Sequence, residues 1–469
     1  MKKHNFPDTL TIIFVLMFVF TILTWIIPAG EFERIEKEGR ELIVPGSYRR
    51  VEPKPQLLEI FSAPIKGFIT AGEIIAFVFI VGGVFSIINA TGAINASIFN
   101  IISLTRKNPG LKRFIIPVSM LLFSIGGATF GMSEETLVFI MITIPLAVSL
   151  DYDPIVGVSI AFVGAGLGFA GAFLNPFTVG IAQGIAGIGL FSGQGYRLIV
   201  WLVLTSIGIA YVIRYALKVE KNPEKSLTGK IHYAGELSGV KEEDMRFTGR
   251  RKLVILLLIL SIIALLMGVQ GKDYIIPGMS GWYIEEISAL FLALGLLSAL
   301  ICRFSAARTV EAFSRGVRDM ALPAVIIGFA RSILIIAEQG RIIDTILYYA
   351  ALAGGSFHSV FSVQVMFLLQ TCINFFIPSG SGQAALTMPI MAPLSDALGF
   401  TRQTAVLAFQ LGDGITNMII PTSAVLMGVL QIAKIPYDKW FRFIFPLVLM
   451  LTLAGMILLV FPAVVFQWN

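Results

Sequence analysis

Gly164 to Gly180 reads GAGLGFAGAFLNPFTVG, and Gly412 to Gly428, 248 positions later, reads GDGITNMIIPTSAVLMG. Both are apolar stretches broken in the middle by Gly, Pro, Asn, Thr or Ser, residues that interrupt a helical ladder and free backbone amides and carbonyls. In water such a break is an ordinary loop. In hydrocarbon it is tolerated only where it is buried in protein or lines a wet cavity. Composition identifies the solvent: 56% of the 469 residues are hydrophobic and 14% charged, against about 45–50% and about 25% in soluble domains. With a mean hydropathy of +0.85, the chain has too little polar surface for a water-facing globule. A soluble enzyme, a secreted disulfide scaffold and a disordered chain are excluded, and the two breaks belong to a polytopic membrane protein.

The offset of 248 extends beyond the two breaks. Without a gap it pairs Gly131–Gln183 with Ser379–Gln431, matching Ser133 with Ser381, Pro145 with Pro393, Gly164 with Gly412, Gly166 with Gly414, Gly180 with Gly428 and Gln183 with Gln431. Matched Gly, Pro and Gln in one register point to a duplicated unit, and such duplication is typical of secondary transporters.

Apolar runs mark the spans, beginning with Leu10–Pro28, which is about long enough to cross a core of roughly 30 Å and is read as a retained helix. Placing the N-terminus in the cytoplasm assigns 23 of the 35 Lys and Arg residues to that side, in Lys2, Lys3, Arg106–Arg113, Arg214, Lys218–Lys252, Arg303–Arg318 and Lys434–Arg442. The positive-inside rule favours this topology, which puts the C-terminus outside and makes the two copies inverted. The expected organisation is a first transmembrane helix and external segment over 1–65, a first repeat over 66–217, a cytoplasmic linker over 218–252, connecting helices over 253–320, and a second repeat with the last helix over 321–469. Phe304–Met320 and Ile94–Leu104 read as amphipathic surface helices.

Each copy has a long apolar stretch with a polar knot at its centre: 114–150, knotted at Gly126–Glu135, and 363–398, knotted at Asn374–Gln383. Each is expected to double back as a re-entrant hairpin, and each is followed by a broken helix, 155–185 and 405–432. The fold class is therefore all-α, with two hairpins and two broken helices meeting near mid-membrane.

Charges at membrane depth are costly and mark sites by default. Glu73, Glu134, Glu135, Arg331, Glu338 and Asp413 fall there, and Glu73 and Glu338 are read as reaching an interface. Substrate contacts are expected at Ser133, Glu135, Asn175, Thr178, Asn374, Ser379, Gly380, Ser381, Asn417, Thr422 and Ser423, where half-helix N-termini and freed backbone suit a carboxylate. Glu134, Glu135 and Asp413 are assigned to a coupling ion or a substrate ammonium, with Ser133, Glu134, Asn175 and Asp413 as a candidate Na⁺ set, and Arg331 as a carboxylate clamp. Cys302, Cys372, His4, His232 and His358 form no metal or catalytic constellation by spacing. GAGLGF is a weak phosphate-loop match because no strand precedes it. No cofactor and no nucleic-acid partner is expected; the coupling ion is Na⁺ or H⁺. An ion channel is the competing class, but no filter-like motif supports it.

PDTLTIIFVLMFVFTILTWIIPAGEFER (Pro7–Arg34), GGATFGMSEET (Gly126–Thr136), NFFIPSGSGQAALTMPIMAPLSDALGFTRQ (Asn374–Gln403) and GDGITNMIIPTS (Gly412–Ser423) resemble the YfcC family within the DcuC-like anaerobic carriers of the ion transporter superfamily. The resemblance implies a bacterial inner-membrane, cation-coupled symporter or exchanger. It also implies a homodimer, with a scaffold and a transport domain that moves as an elevator. Its substrates range from four-carbon dicarboxylates to basic amino acids. Related carriers hold Na⁺ and carboxylates with Ser-Asn-Thr triplets at the hairpin tips. Here Met132, Ser133, Glu134 and Ser379, Gly380, Ser381 stand instead. With three acidic groups near the breaks against Arg331, an amino acid fits better than a dianion.

Overall fold

The computed structural model describes residues 9–37, 40–44, 46–97, 99–100, 109–228, 247–270, 282, 284–354, 359–465 and 468. Lys2, Lys3, His4, Arg106, Lys107, His232, His358, the end of Ile94–Leu104 and residues 229–246 of the expected linker lie outside them. The described chain is predominantly helical. In order come α1 (Thr9–Ile26), α2 (Glu59–Thr70), α3 (Gly72–Ala90), α4 (Pro109–Phe130), α5 (Thr136–Ser149), α6 (Pro154–Val158), α7 (Gly164–Ala170), α8 (Ile181–Ala186) and α9 (Gln194–Lys221). The second part holds α10 (Gly249–Gln270), α11 (Ile284–Ile301), α12 (Ala306–Asp319), α13 (Ala321–Gln339), α14 (Ile343–Gly354), α15 (Ser359–Phe376), α16 (Gly380–Ala397), α17 (Arg402–Thr416), α18 (Ala424–Ile432) and α19 (Tyr437–Val460). Five described spans are long and apolar enough to cross a membrane: α3, α9, α11, α13 and Tyr437–Ala463.

Both polar knots interrupt helix. The first chain leaves α4 at Phe130 and re-enters helix at Thr136; the second leaves α15 at Phe376 and re-enters at Gly380. The broken segments also separate into pieces. Pro154–Ala170 carries a π-helical turn at Ser159–Val163, stops before Gly171, and resumes through a π turn at Pro176–Gly180 into α8. Its counterpart stops after Thr416 and resumes at Ala424. Asp413 therefore sits inside α17, one turn before the break, because the helical ladder runs on through Gly412 and Gly414.

The all-α expectation needs one correction. Gly30–Glu31 pairs with Arg49–Arg50, and Arg34–Lys37 pairs with Arg40–Ile43, both antiparallel. Two four-residue runs separated in sequence by Glu38 and Gly39 have the spacing of a tight hairpin. This segment is fastened to α14: Arg34 Nη2 lies 2.8 Å from Asp344 Oδ1, Phe32 N donates to Asp344 Oδ2 at 3.0 Å, and Tyr48 stacks on Tyr348 at 4.0 Å. Neither α2 nor α14 is apparent as a span in the hydropathy reading.

Helix packing is reciprocal between the two parts. Helix α2 packs on α13 while α12 packs on α3; α1 packs on α13 while α11 packs on α3; α4 packs on α7 while α15 packs on α17; α5 packs on α18 while α16 packs on α8. Small residues permit the close crossings. A Cβ on Gly67 would collide with the backbone of Gly328, and one on Gly316 with the backbone of Gly82. At the centre α7 and α17 cross, where a Cβ on Gly414 would meet Ala170 and one on Gly166 would come 2.9 Å from Met418. Helix α12 is amphipathic as expected, but it buries Ala312 and Gly316 against α3.

A Cβ on Gly168 would overlap the Ser124 carbonyl oxygen of α4, and neither backbone can yield. Gly168→Ala should lower stability by about 1–3 kcal/mol, an ordinary overpacking penalty. The check is thermal unfolding in detergent against Gly195→Ala, whose Cβ would meet nothing within 4 Å and which should leave the midpoint unchanged.

Candidate functional site

The interrupted elements of both parts converge on a cavity of about 310 Å³, at the lower end of the roughly 300–1,000 Å³ spanned by small-molecule sites. Ser133, Glu134 and Glu135 enter it from the turn before α5, and Phe177 and Thr178 from the π turn before α8. Pro378, Ser379, Gly380 and Ser381 enter from the start of α16, Asn417 from the end of α17, and Thr422 and Ser423 from the turn before α18. Glu73 from α3 and Arg331 from α13 also line it, as do Phe162, Phe169, Phe376 and Trp282.

Four helical starts face this space. Asn175 caps the π turn, its Oδ1 accepting from Phe177 N at 2.9 Å. Ser423 caps α18, accepting from Leu426 N at 3.3 Å, and Ser379 caps α16, accepting from Gly382 N at 3.3 Å. Glu135 Oε2 accepts from Ser133 N at 3.1 Å in the turn before α5. First-turn amides left without intrahelical acceptors carry partial positive charge, so these starts together favour an anionic group between them. Asn175 and Ser423 are related by the same 248-residue offset, so residues at matching positions perform the same capping task.

Behind the cavity wall lies a buried polar cluster. Asn374 Nδ2 is 2.9 Å from Asp413 O, 2.8 Å from Thr416 Oγ1 and 3.0 Å from Asn417 Oδ1, while Asn417 Nδ2 donates to Asp413 Oδ1 at 3.0 Å. Asp413 is fully buried, and among the described residues its Oδ2 has no hydrogen-bond partner, as is true of the hydroxyls of Thr178 and Thr422. Only the absence of a side chain at Gly380 leaves room there: a Cβ would stand 2.5 Å from Thr178 Cγ2 and 3.0 Å from Asp413 Oδ2.

The expected site residues thus divide into two groups. Ser133, Glu134, Glu135, Thr178, Ser379, Gly380, Ser381, Asn417, Thr422, Ser423 and Arg331 line one cavity. Asn175, Asn374 and Asp413 stand behind it, Asn175 packed against Gly131 and Asp413 against Gly380. Ser133 and Glu134 of the suggested Na⁺ set therefore face the cavity while Asn175 and Asp413 do not. Arg331 forms no ion pair among the described residues, and its Nε is buried without a partner. Glu73, read as an interfacial residue, turns into the cavity because α3 begins two residues after α2 ends, with both packed on α13. Glu338 is exposed at the end of α13.

Sequence reasoning misses the aromatic lining, whose members are inconspicuous in apolar runs; Phe169, the one aromatic residue in the glycine-rich GAGLGFAG, is the legible one. It also misses Arg197, counted with the outward basic residues. That side chain is fully buried, its Nη2 donating to Gln403 Oε1 at 3.1 Å and its guanidinium 5.1 Å from the Trp468 ring.

The profile of a family described as C4-dicarboxylate anaerobic carrier, DcuC, matches residues 6–464. YfcC of Escherichia coli K12, whose name provisionally assigns it to basic amino acid antiport, is 35% identical over 94% of this chain and 93% of its own length. An uncharacterized protein of Haemophilus influenzae Rd is 32% identical over 98% of this chain and 97% of its own. Among solved structures, Neisseria gonorrhoeae MtrF, presented within a class of antimetabolite efflux pumps, is similar with a TM-score of 0.45 and 17% identity, covering 99% of this chain and 96% of that one. The Alcanivorax borkumensis YdaH transporter is similar with a TM-score of 0.42 and 16% identity, covering 97% and 98%.

Removing the Asn374 amide leaves the Asp413 carbonyl, the Thr416 hydroxyl and the Asn417 carboxamide without their shared donor. Asn374→Ala should cost about 1–3 kcal/mol, the penalty for orphaning buried polar groups. Its unfolding midpoint in detergent checks this, with Thr129→Ala, at an exposed hydroxyl bonded only to its own helix, expected to stay near the wild-type value.

Proposed function

From membership of the DcuC family, the C4-dicarboxylate anaerobic carriers to which this chain belongs, we propose a secondary active transporter that exchanges or co-transports a small amino acid, basic ones foremost, with a cation. The observation that carries this reading is the juxtaposition of helix N-termini with acidic side chains in one cavity. The starts of α16 and α18 and the turn at Pro176 offer amides and hydroxyls to an α-carboxylate, while Glu134, Glu135 and Glu73 offer negative charge to ammonium or guanidinium groups. A zwitterion or a dibasic amino acid satisfies both halves.

Asp413 is placed in the coupling step. A carboxylate buried without a counter-charge is stable only when protonated or beside a cation, so ion binding at Asp413 is linked through Gly380 and Thr178 to the cavity wall. Two inverted copies, with 114–150 and 363–398 as hairpins, would carry the cavity across the bilayer as an elevator within a homodimer. The inner membrane, with the N-terminus cytoplasmic and the C-terminus outside, is the proposed setting, and the repeat and linker boundaries given above are the proposed domains. The reciprocal packing and the shared capping register support the repeat.

Four-carbon dicarboxylates are the second reading. The family description and Arg331, which forms no ion pair among the described residues, favour it, since Arg331 and the helix N-termini can each receive a carboxylate.

Proteoliposomes loaded with arginine, ornithine, lysine, aspartate, succinate or fumarate and assayed for counterflow, with Na⁺ or proton gradients imposed separately, distinguish the two. Basic amino acids should exchange fastest; counterflow confined to dicarboxylates would reject the amino-acid reading. Asp413→Asn should abolish gradient-driven accumulation, while Glu134→Gln should raise the KM for basic substrates by at least about tenfold, the effect of roughly 1.4 kcal/mol.

A further inference from the structure

A second cavity, of about 520 Å³, shares no lining residue with the first. It lies where α3 and α11 end and where α10 and α12 begin, lined by Asn89, Asn95, Arg250, Arg251, Cys302 and Arg308 among others. Since α3 and α11 are membrane spans by length and composition, their shared end places the cavity near headgroup depth. It is the end joined to the basic segments Lys218–Lys252 and Arg303–Arg318, which the charge distribution assigns to the cytoplasm.

Three guanidinium groups surround this space, and none of its described lining residues is acidic. Like charges repel, and an anion placed between these groups relieves that repulsion. Arg251 is fixed in place: its Nε donates to Thr91 O at 3.0 Å, and Gly92, with φ of +71°, leaves the room it needs, since a Cβ there would stand 2.7 Å from Arg251 Nη2. Arg308 lies 3.9 Å from the Phe304 ring, which holds the cation without neutralising it. Guanidinium forks match phosphate oxygens, and the neutral amides of Asn89 and Asn95 add donors.

We infer that this cavity binds a phosphate group, supplied by the headgroup of an anionic membrane phospholipid. Basic pockets between transmembrane helices on the cytoplasmic side suit such headgroups. Helix α12 also packs on α3 through Gly316 and Gly82, so an occupant here braces the ends of α3, α10, α11 and α12 together. The site stands apart from the transport cavity, and its test does not depend on the substrate.

Cys302 is half-buried in the lining, and Cys372 is the other cysteine in the chain. In a Cys372→Ser background, the alkylation rate of Cys302 by uncharged N-ethylmaleimide therefore reports occupancy. Nanodiscs of phosphatidylcholine alone are compared with nanodiscs containing phosphatidylglycerol, and with phosphatidylcholine nanodiscs given inorganic phosphate. Phosphatidylglycerol should slow alkylation roughly tenfold, as expected for a site occupied about nine-tenths of the time. The Arg250→Gln/Arg308→Gln variant should react at one rate in all three. Protection by inorganic phosphate alone would support the phosphate site while assigning it to a soluble anion. Equal rates for the unmodified site in all three conditions, or full protection by phosphatidylglycerol in a folded double variant, would overturn the inference.

Discussion

An apolar environment does not forgive unpaired backbone groups, and the two breaks at residues 171–175 and 417–423 stand or fall on how theirs are paired. Each is served by another element. Phe173 N and Leu174 N both donate to Ala128 O at the end of α4, at 3.2 and 3.1 Å. At the second break, Trp440 Nε1 donates to Met418 O at 2.9 Å and Tyr437 OH to Ile419 O at 2.6 Å, both from the first turn of α19. Gln410 Nε2 of α17 donates to Phe169 O of α7 at 2.5 Å. The helices around the breaks therefore supply hydrogen-bond partners as well as packing surface.

That arrangement explains why glycine is concentrated where α7 crosses α4 and α17. Pairing the freed groups requires backbones to approach at distances that a side chain would prevent, as the collisions at Gly127, Gly168 and Gly414 illustrate. Small-residue packing and helix breaks are one design here: the glycines that loosen the helix also let its neighbour reach the loosened backbone. The cavity forms at the ends of these close contacts, where helical starts from both parts point into shared space.

The breaks are legible in the sequence because Gly, Pro and Asn inside apolar runs have few other uses at such cost. The 248-residue offset is legible because Gly164 with Gly412 and Gln183 with Gln431 are not interchangeable hydrophobes. Most of the cavity lining follows from the breaks, since residues flanking them have little choice of direction. What is not legible depends on contacts distant in sequence. Asp413 lies behind Gly380 only because α16 folds over α17, and Arg197 is buried only because Trp468 covers it and Gln403 reaches it. The strands at Gly30–Arg50 escape the reading because polar alternation over four residues is weak beside the apolar runs on either side.

Symmetry and its failure together shape the site. The 248-residue offset keeps the caps, Asn175 with Ser423, and the serines, Ser133 with Ser381, but it sets Glu134 against Gly382, Glu135 against Gln383 and Ala165 against Asp413. Positions matched by the offset thus supply caps and hydroxyls at and around the cavity, and divergent positions carry the charge. A ligand with two like ends gains nothing from such divergence and meets the carboxylates of Glu134 and Glu135 on one side. A ligand with one anionic and one cationic end uses both the conserved geometry and the broken symmetry, and this is the physical reason the amino-acid reading is preferred within a family described by dicarboxylates.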